Sequence, residues 1–145
     1  MAIIKEMLLN ISSVIHNLDD AGLTVGDAEK DSFTTDGFLK INDGVFTLSY
    51  VEKRENSKVF CDIISDGKTV SVKRTGSVEC KMLFESGKSF SGIYKIPPFA
   101  FDMELFTKKA DSSLTKDGGE ISLVYDMTIG GAKKACKMTV TARKK

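Results

Sequence analysis

The sequence predicts an all-β domain, folded as an antiparallel up-and-down barrel of roughly eight to ten strands. Short turn signals divide most of the chain into strand-length segments, and the segments alternate apolar and polar residues with period two. Glycine, asparagine and aspartate accept the positive φ that tight hairpins need. Successive hairpins tend to close into a barrel because closure removes exposed strand edges. The turn signals are Asn42-Asp43-Gly44, Ser65-Asp66-Gly67, Ser86-Gly87, Asp117-Gly118-Gly119 and Gly130-Gly131.

The beginning of the chain gives the least distinct pattern. The first predicted strand covers 5–16, but it is apolar on both faces, so a helix stays open as an alternative there. A polar connection over 17–28, with a short helical turn as one option, leads to a second strand near 31–41. Gly37 interrupts this strand, which predicts a bend, a bulge or a close backbone approach.

The later segments alternate more regularly. In 99–107, the side chains of Phe101 and Met103 fall on one face with Phe99. Pro97-Pro98 cannot donate to a strand ladder, so the chain turns or lies at an edge there. A long polar loop is predicted from Thr107 to Gly119. The remaining predicted strands cover 45–52, 58–65, 69–75, 77–85, 89–96, 120–129 and 132–142.

The composition predicts one domain over residues 1–145, which is long enough to bury a single core. A net charge of +1 gives no electrostatic reason to expect a nucleic-acid or membrane partner. No segment approaches the roughly 18 apolar residues of a membrane span, and we expect no signal peptide. Three cysteines without a CxxC motif indicate reduced thiols and a cytoplasmic location.

Several short motifs follow one another along most of the chain. They are Thr35-x-Gly37, Leu48-Ser49-Tyr50-x-Glu52, Arg74-x-Gly76, Phe84-x-x-Gly87, Tyr94, Gly118-Gly119-x-Ile121 and Tyr125. Their order and spacing resemble the YwiB-like family, a domain of unknown function. The resemblance implies a calycin-like, lipocalin-like β-barrel, and it implies no substrate, catalytic residue or partner. The chain has no tryptophan, so it lacks the Gly-x-Trp signature of true lipocalins.

Few residues favour catalysis or metal binding. His16 is the only histidine, so it is the only residue that could serve as the histidine base of a catalytic triad. A metal site with two histidine ligands is impossible. No phosphate-binding glycine loop or HExxH motif is present. We therefore expect no catalytic residue, no metal and no cofactor. An enzyme is the least favoured class, since it would depend on carboxylate, tyrosine or lysine chemistry.

Arg74 is the most informative charged residue, because it shares a strand face with Val70 and Val72. An inward-facing arginine needs an ion partner or hydrogen bonds. Glu52 is a candidate partner, and the same network could include the hydroxyls of Tyr94 and Tyr125. The alternatives are a side chain that reaches solvent at the strand end, or one that binds a ligand carboxylate or phosphate. The residues predicted to line a ligand site in the barrel interior or mouth are Tyr50, Glu52, Arg74, Tyr94, Phe101 and Tyr125.

The leading functional hypothesis is a non-enzymatic barrel that binds a small amphipathic or apolar ligand. The alternative is a structural or protein-interaction domain whose barrel is filled by side chains, with its function on an outer surface or in the loop 107–119. An uncovered edge near the first strand would allow a homo-oligomer. The large side chains predicted to face inward are Phe46, Tyr50, Met82, Phe84, Phe90, Tyr94, Phe101, Met103, Tyr125, Met127 and Met138.

Overall fold

The computed structural model describes residues 2–145 as ten strands in one antiparallel sheet, with no helix among them. The strands are β1 (Ile3–Leu18), β2 (Glu29–Asn42), β3 (Val45–Arg54), β4 (Ser57–Ser65), β5 (Val70–Gly76), β6 (Cys80–Phe84), β7 (Ser89–Ile96), β8 (Phe99–Ser112), β9 (Gly118–Ile129) and β10 (Ala132–Lys144). Their order in the sheet is β6-β5-β4-β3-β2-β1-β10-β9-β8-β7. The predicted all-β, up-and-down architecture is confirmed.

The sheet curls into a barrel that is nearly closed where β6 meets β7. One antiparallel bridge joins them: the Glu79 N–H donates to the Lys95 carbonyl at 2.9 Å, and the Lys95 N–H donates to the Glu79 carbonyl at 2.8 Å. The Thr107 backbone also bonds to the turn that follows β6, accepting from Gly87 at 2.8 Å and donating to Lys88 at 3.0 Å. These few bonds replace a full ladder at the seam.

The predicted hairpin turns are present. Asp43 and Gly44, which connect β2 to β3, have positive φ values of 51° and 78°, as a type I′ turn requires. The first segment is a strand rather than a helix. The connection after it contains no helical turn, since Asp19 caps the chain instead by accepting from the Ala21 and Leu23 amides at 2.9 and 3.0 Å.

The predicted long polar loop after Thr107 is wrong. Strand β8 continues to Ser112, and only residues 113–117 separate it from β9. A bulge between Thr107 and Lys109 adds one residue to β8, which shifts the alternation by one and hides the strand pattern. Ala110 then packs against the core while its neighbours face solvent.

The end of the barrel that holds both chain termini is densely packed. Strand alternation points one residue in two from every strand toward this core, and their burial supplies the main stabilisation. The largest side chains below 2% exposure are Phe84, Met7, Leu9, Leu39, Leu48, Ile63, Met103, Leu105, Ile121, Leu123, Val72 and Val140.

The first strand is central rather than peripheral. Its residues 7–18 pair with β10, and residues 3–15 pair with β2. The uncovered edge predicted near this strand is therefore limited to residues 3–6 on the β10 side. Among residues 2–145, no helix is long and apolar enough to span a membrane.

Gly37 confirms the close backbone approach that its place inside a strand predicts. A Cβ atom built there would lie 2.6 Å from the Ser49 carbonyl oxygen and 2.6 Å from Leu9 Cδ1. Gly37 is also the first residue of β2 that pairs with β3, opposite Tyr50.

We expect Gly37→Ala to lower the free energy of unfolding by about 2 kcal/mol, because the new methyl group meets a backbone carbonyl that cannot move aside. Gly92→Ala is the matched control: its nearest contacts would be Phe90 Cε2 at 3.2 Å and Met103 Cε at 3.5 Å, both on side chains that can shift. Urea unfolding measures both values. Equal losses in the two variants would contradict the steric explanation.

Candidate functional site

A cavity of about 370 Å³ occupies the half of the barrel opposite the packed core. It lies toward the end where β1 joins β2, β3 joins β4 and β5 joins β6. Its apolar lining consists of Ile11, Ile15, Phe33, Met82, Met127, Ile129 and Met138. Its polar lining consists of Ser13, Asp31, Tyr50, Glu52, Arg74, Tyr94, Tyr125 and Lys134. The barrel is thus filled in one half and open in the other.

The structure brings five of the six predicted site residues to this cavity: Tyr50, Glu52, Arg74, Tyr94 and Tyr125. Phe101 is the exception. Its side chain is 38% exposed and lies against Gly130, at the rim beyond the cavity.

Sequence reasoning missed four residues of the polar and aromatic wall: Ser13, Asp31, Phe33 and Lys134. Strand parity could have found them. Asp31 and Phe33 share a face of β2 with buried Leu39, and Lys134 shares a face of β10 with buried Cys136.

The Arg74 guanidinium lies inside the barrel without a protein counter-ion. Its Nε atom is buried and has no hydrogen-bond partner. Within residues 2–145, no carboxylate oxygen comes within 4.0 Å of its nitrogens. The predicted ion pair with Glu52 is wrong, because Glu52 Oε1 accepts a hydrogen bond from Arg54 Nη2 at 2.8 Å.

Buried tyrosine hydroxyls and cysteine thiols, which keep their protons, surround the Arg74 guanidinium. Burial raises the pKa of Tyr50, and the adjacent Cys61 thiol raises it further, although Arg74 opposes the shift. Burial likewise raises the pKa values of Tyr94 and Tyr125. Near neutral pH, the three hydroxyls are therefore uncharged and can donate hydrogen bonds.

The three cysteines are free and buried. Cys61 and Cys80 lie directly opposite Arg74 on the neighbouring strands, and burial raises the pKa of both thiols. Burial also raises the pKa of Cys136 to about 11. Protonated thiols of this kind are poor nucleophiles and supply no negative charge to Arg74.

The guanidinium itself stays charged. Burial lowers the pKa of Arg74, and interaction with the ionised forms of Tyr50, Cys61, Cys80 and Tyr94 raises it, with a net upward direction. An arginine keeps its proton in folded proteins under ordinary conditions. The cavity therefore contains a permanent cation among neutral donors.

Strands β2 and β3 separate beside the cavity. Their ladder ends at the pair Gly37 and Tyr50. On the cavity side of this pair, residues 29–36 of β2 pair with β1 and not with β3. Residues 51–54 of β3 pair with β4 and not with β2. An outer groove of about 740 Å³ lies over this opening and shares Phe33, Tyr50 and Glu52 with the cavity.

Arg54 spans the opening. Its Nη2 atom donates to Asp31 Oδ2 of β2 at 2.7 Å and to Glu52 Oε1 of β3 at 2.8 Å. The guanidinium carbon lies 5.4 Å from the centroid of the Phe33 ring, within cation–π range. This arrangement uses the carboxylates of the cavity wall, so neither is left for Arg74.

Several titratable groups converge in the cavity. The tyrosine hydroxyls are protonated, and Asp31 and Glu52 are paired with Arg54. Among residues 2–145, no three His, Cys, Asp or Glu side chains are placed to hold a metal ion. His16 is exposed on β1.

We expect Arg74→Met to raise the free energy of unfolding of the protein without ligand by about 1 kcal/mol or more, because an unpaired buried charge is removed. Arg54→Met is the control: it removes two exposed ion pairs, and a loss of about 0–1 kcal/mol is expected. Denaturant titration compares them. A stability loss in Arg74→Met larger than that in Arg54→Met would show that Arg74 is well satisfied by the protein.

The three tyrosines all line the cavity and the chain has no tryptophan, so the near-ultraviolet spectrum reports largely on the site. In the unfolded chain, tyrosines ionise near the ordinary value of 10.0. Because their pKa values are raised in the folded state, their contribution to stability is complete below that pH and is lost as the pH rises above it. We expect tyrosinate absorbance to appear only together with unfolding detected by circular dichroism. Ionisation of the folded protein with an ordinary midpoint would disprove the burial effect.

Comparison with known proteins places these features in a family. Residues 18–140 match the domain of unknown function DUF1934. The uncharacterized beta-barrel protein YwiB of Bacillus subtilis (strain 168) is 33% identical over 135 residues, which are 92% of this chain and 89% of that protein. The crystal structure of the ywiB protein from Bacillus subtilis aligns with a TM-score of 0.84 at 30% identity, covering 98% of this chain and 93% of that chain.

These matches confirm the resemblance that the motifs indicated. Both the sequence and the barrel agree over nearly the whole length of the chain. The chain belongs to the DUF1934 family, a β-barrel domain of unknown function.

Proposed function

We propose that this protein is a non-enzymatic binding protein that holds one small amphipathic molecule in the open half of its barrel. The observation that carries the proposal is the cavity of about 370 Å³. Small-molecule sites are typically about 300–1,000 Å³ in volume. At about 30 Å³ for each water-sized group, the cavity has room for about a dozen non-hydrogen atoms.

The two-sided lining supports an amphipathic occupant. Met82, Met127 and Met138 supply flexible apolar side chains, which adapt to the shape of a ligand. The hydroxyls of Tyr50 and Tyr94 line the polar part of the same space and can donate hydrogen bonds. A molecule with one polar group and a compact apolar body would satisfy both parts of the wall.

The proposal includes a calycin-like barrel and a cytoplasmic location. The unbroken meander of strands around an interior cavity supports the calycin-like assignment. Free buried thiols support a reducing compartment. The net charge of +1 supports neither a nucleic-acid nor a membrane partner. Self-association would use the edge at residues 3–6 of β1.

The other two functional classes fit less well. A barrel filled throughout by side chains does not account for the cavity. An enzyme is disfavoured because the tyrosine hydroxyls of the cavity hold their protons and the carboxylates of Asp31 and Glu52 bind Arg54.

Adjacent residues of β1 provide a matched test. Ile15 lines the cavity, whereas Val14 points to the outer face, so Ile15→Trp fills the cavity and Val14→Trp does not. We expect decanol or decanoate to raise the melting temperature of the wild type and of Val14→Trp, but not that of Ile15→Trp. At 100 times the dissociation constant, such a ligand adds about 2.7 kcal/mol of stability.

Thermal unfolding measures these shifts, with circular dichroism as the control for folding, and native mass spectrometry of the freshly purified protein detects a retained ligand. A wild type that neither compound stabilises would contradict the proposal. So would an equal response in all three proteins.

A further inference from the structure

We infer that the occupant of the cavity is an amphipathic monocarboxylate, and that its carboxylate forms the ion pair that Arg74 lacks in the protein. This inference rests on the proposed function and names the chemical class of the ligand. Three features of the wall lead to it: the unpaired cation, the net charge of the wall, and the shape of the donor groups.

The first feature is the unpaired cation. Arg74 Nε is buried without a partner, and within residues 2–145 no carboxylate lies within 4.0 Å of the guanidinium. A charge in such a place is costly unless an anion and hydrogen bonds compensate it. The tyrosines and thiols beside it are neutral, and the wall carboxylates of Asp31 and Glu52 are paired with Arg54, so we infer that the compensating anion comes from outside the chain.

The second feature is the net charge of the wall. Asp31 and Glu52 are both paired with Arg54, at 2.7 and 2.8 Å. Arg74 and Lys134 are the cations that face the cavity. With Arg54 included, these five groups carry one net positive charge. A single negative charge on the ligand neutralises them, whereas a phosphate monoester would bring about 1.5 to 2 charges.

The third feature is the shape of the donors. A guanidinium presents parallel N–H groups that match the two oxygens of a planar carboxylate. The carboxylate oxygens accept further hydrogen bonds, which the hydroxyls of Tyr50, Tyr94 and Tyr125 can donate. From this polar wall, the apolar body of the ligand would extend along Met82 and Met138.

Decanoate, decanol and decyl phosphate separate the hypotheses, because they share one chain and differ in charge and head group. Decanoate has about the dozen non-hydrogen atoms for which the cavity has room. Isothermal titration calorimetry would measure each compound on the wild type, Arg74→Met, Arg74→Lys and Arg143→Met. The last variant is the matched control, since Arg143 is exposed on β10 and does not line the cavity.

We expect the wild type and Arg143→Met to bind decanoate at least tenfold more tightly than decanol. Arg74→Met should lose this preference and keep its affinity for decanol. Arg74→Lys should retain part of the preference, because the charge is kept and the planar fork is lost. Arg74→Lys also serves as the second variant if Arg74→Met does not fold.

Three results would overturn the inference. Equal binding of decanol and decanoate by the wild type would exclude an ion pair between Arg74 and the ligand, and the proposed function would still stand. Tighter binding of decyl phosphate than of decanoate would indicate that the ligand carries a phosphate rather than a carboxylate. Binding of none of the three compounds would overturn both the inference and the proposed function.

Discussion

Side chains alternate between the inside and the outside of all ten strands, and this constraint determines what fills the barrel and what stays open. Toward the end with the chain termini, alternation brings large apolar side chains together, and they leave no space. Toward the other end, the same alternation brings in Ser13, Asp31 and Arg74, which cannot close over an apolar centre. The cavity therefore exists because of the residues that occupy the inward positions at the end of the barrel opposite the chain termini.

The opening between β2 and β3 follows from the same geometry. Gly37 allows the two strands to approach closely, and they are separated over the residues of β2 that precede it, 29–36. Arg54 then holds the separated strands through Asp31 and Glu52. This pairing explains why Arg74 is left alone: the carboxylates nearest the cavity are already bound by an arginine at the surface. Natural proteins retain such locally unfavourable arrangements mainly at functional sites.

Most of the architecture could be predicted because period-two alternation and turns rich in glycine, asparagine and aspartate are local signals. Parity with Val70 and Val72 also grouped Arg74 with the face that lines the cavity, but it left open whether the guanidinium stays inside or reaches solvent. Parity does not give the depth of a residue along the barrel axis, so Phe101 has the inward phase but lies at the rim.

Nor does parity identify which ion pairs form. Glu52 and Arg54 are two residues apart on one face of β3, and this short distance favours their pairing over a pair across the barrel. The bulge after Thr107 was not predicted. Its extra residue reverses the alternation of inward and outward side chains along β8, and the strand prediction depends on that alternation. Asp31 and Phe33 were missed although they share a face of β2 with Leu39, which the alternation along that strand shows without the register.

A crystal structure of the protein soaked in bromide, with the ion located by anomalous scattering, tests the central claim most directly. An open half-barrel with an uncompensated arginine predicts a bromide ion inside the cavity, in contact with the Arg74 guanidinium. A guanidinium paired with Glu52 or turned out into solvent, or an interior closed by side chains, would contradict the claim.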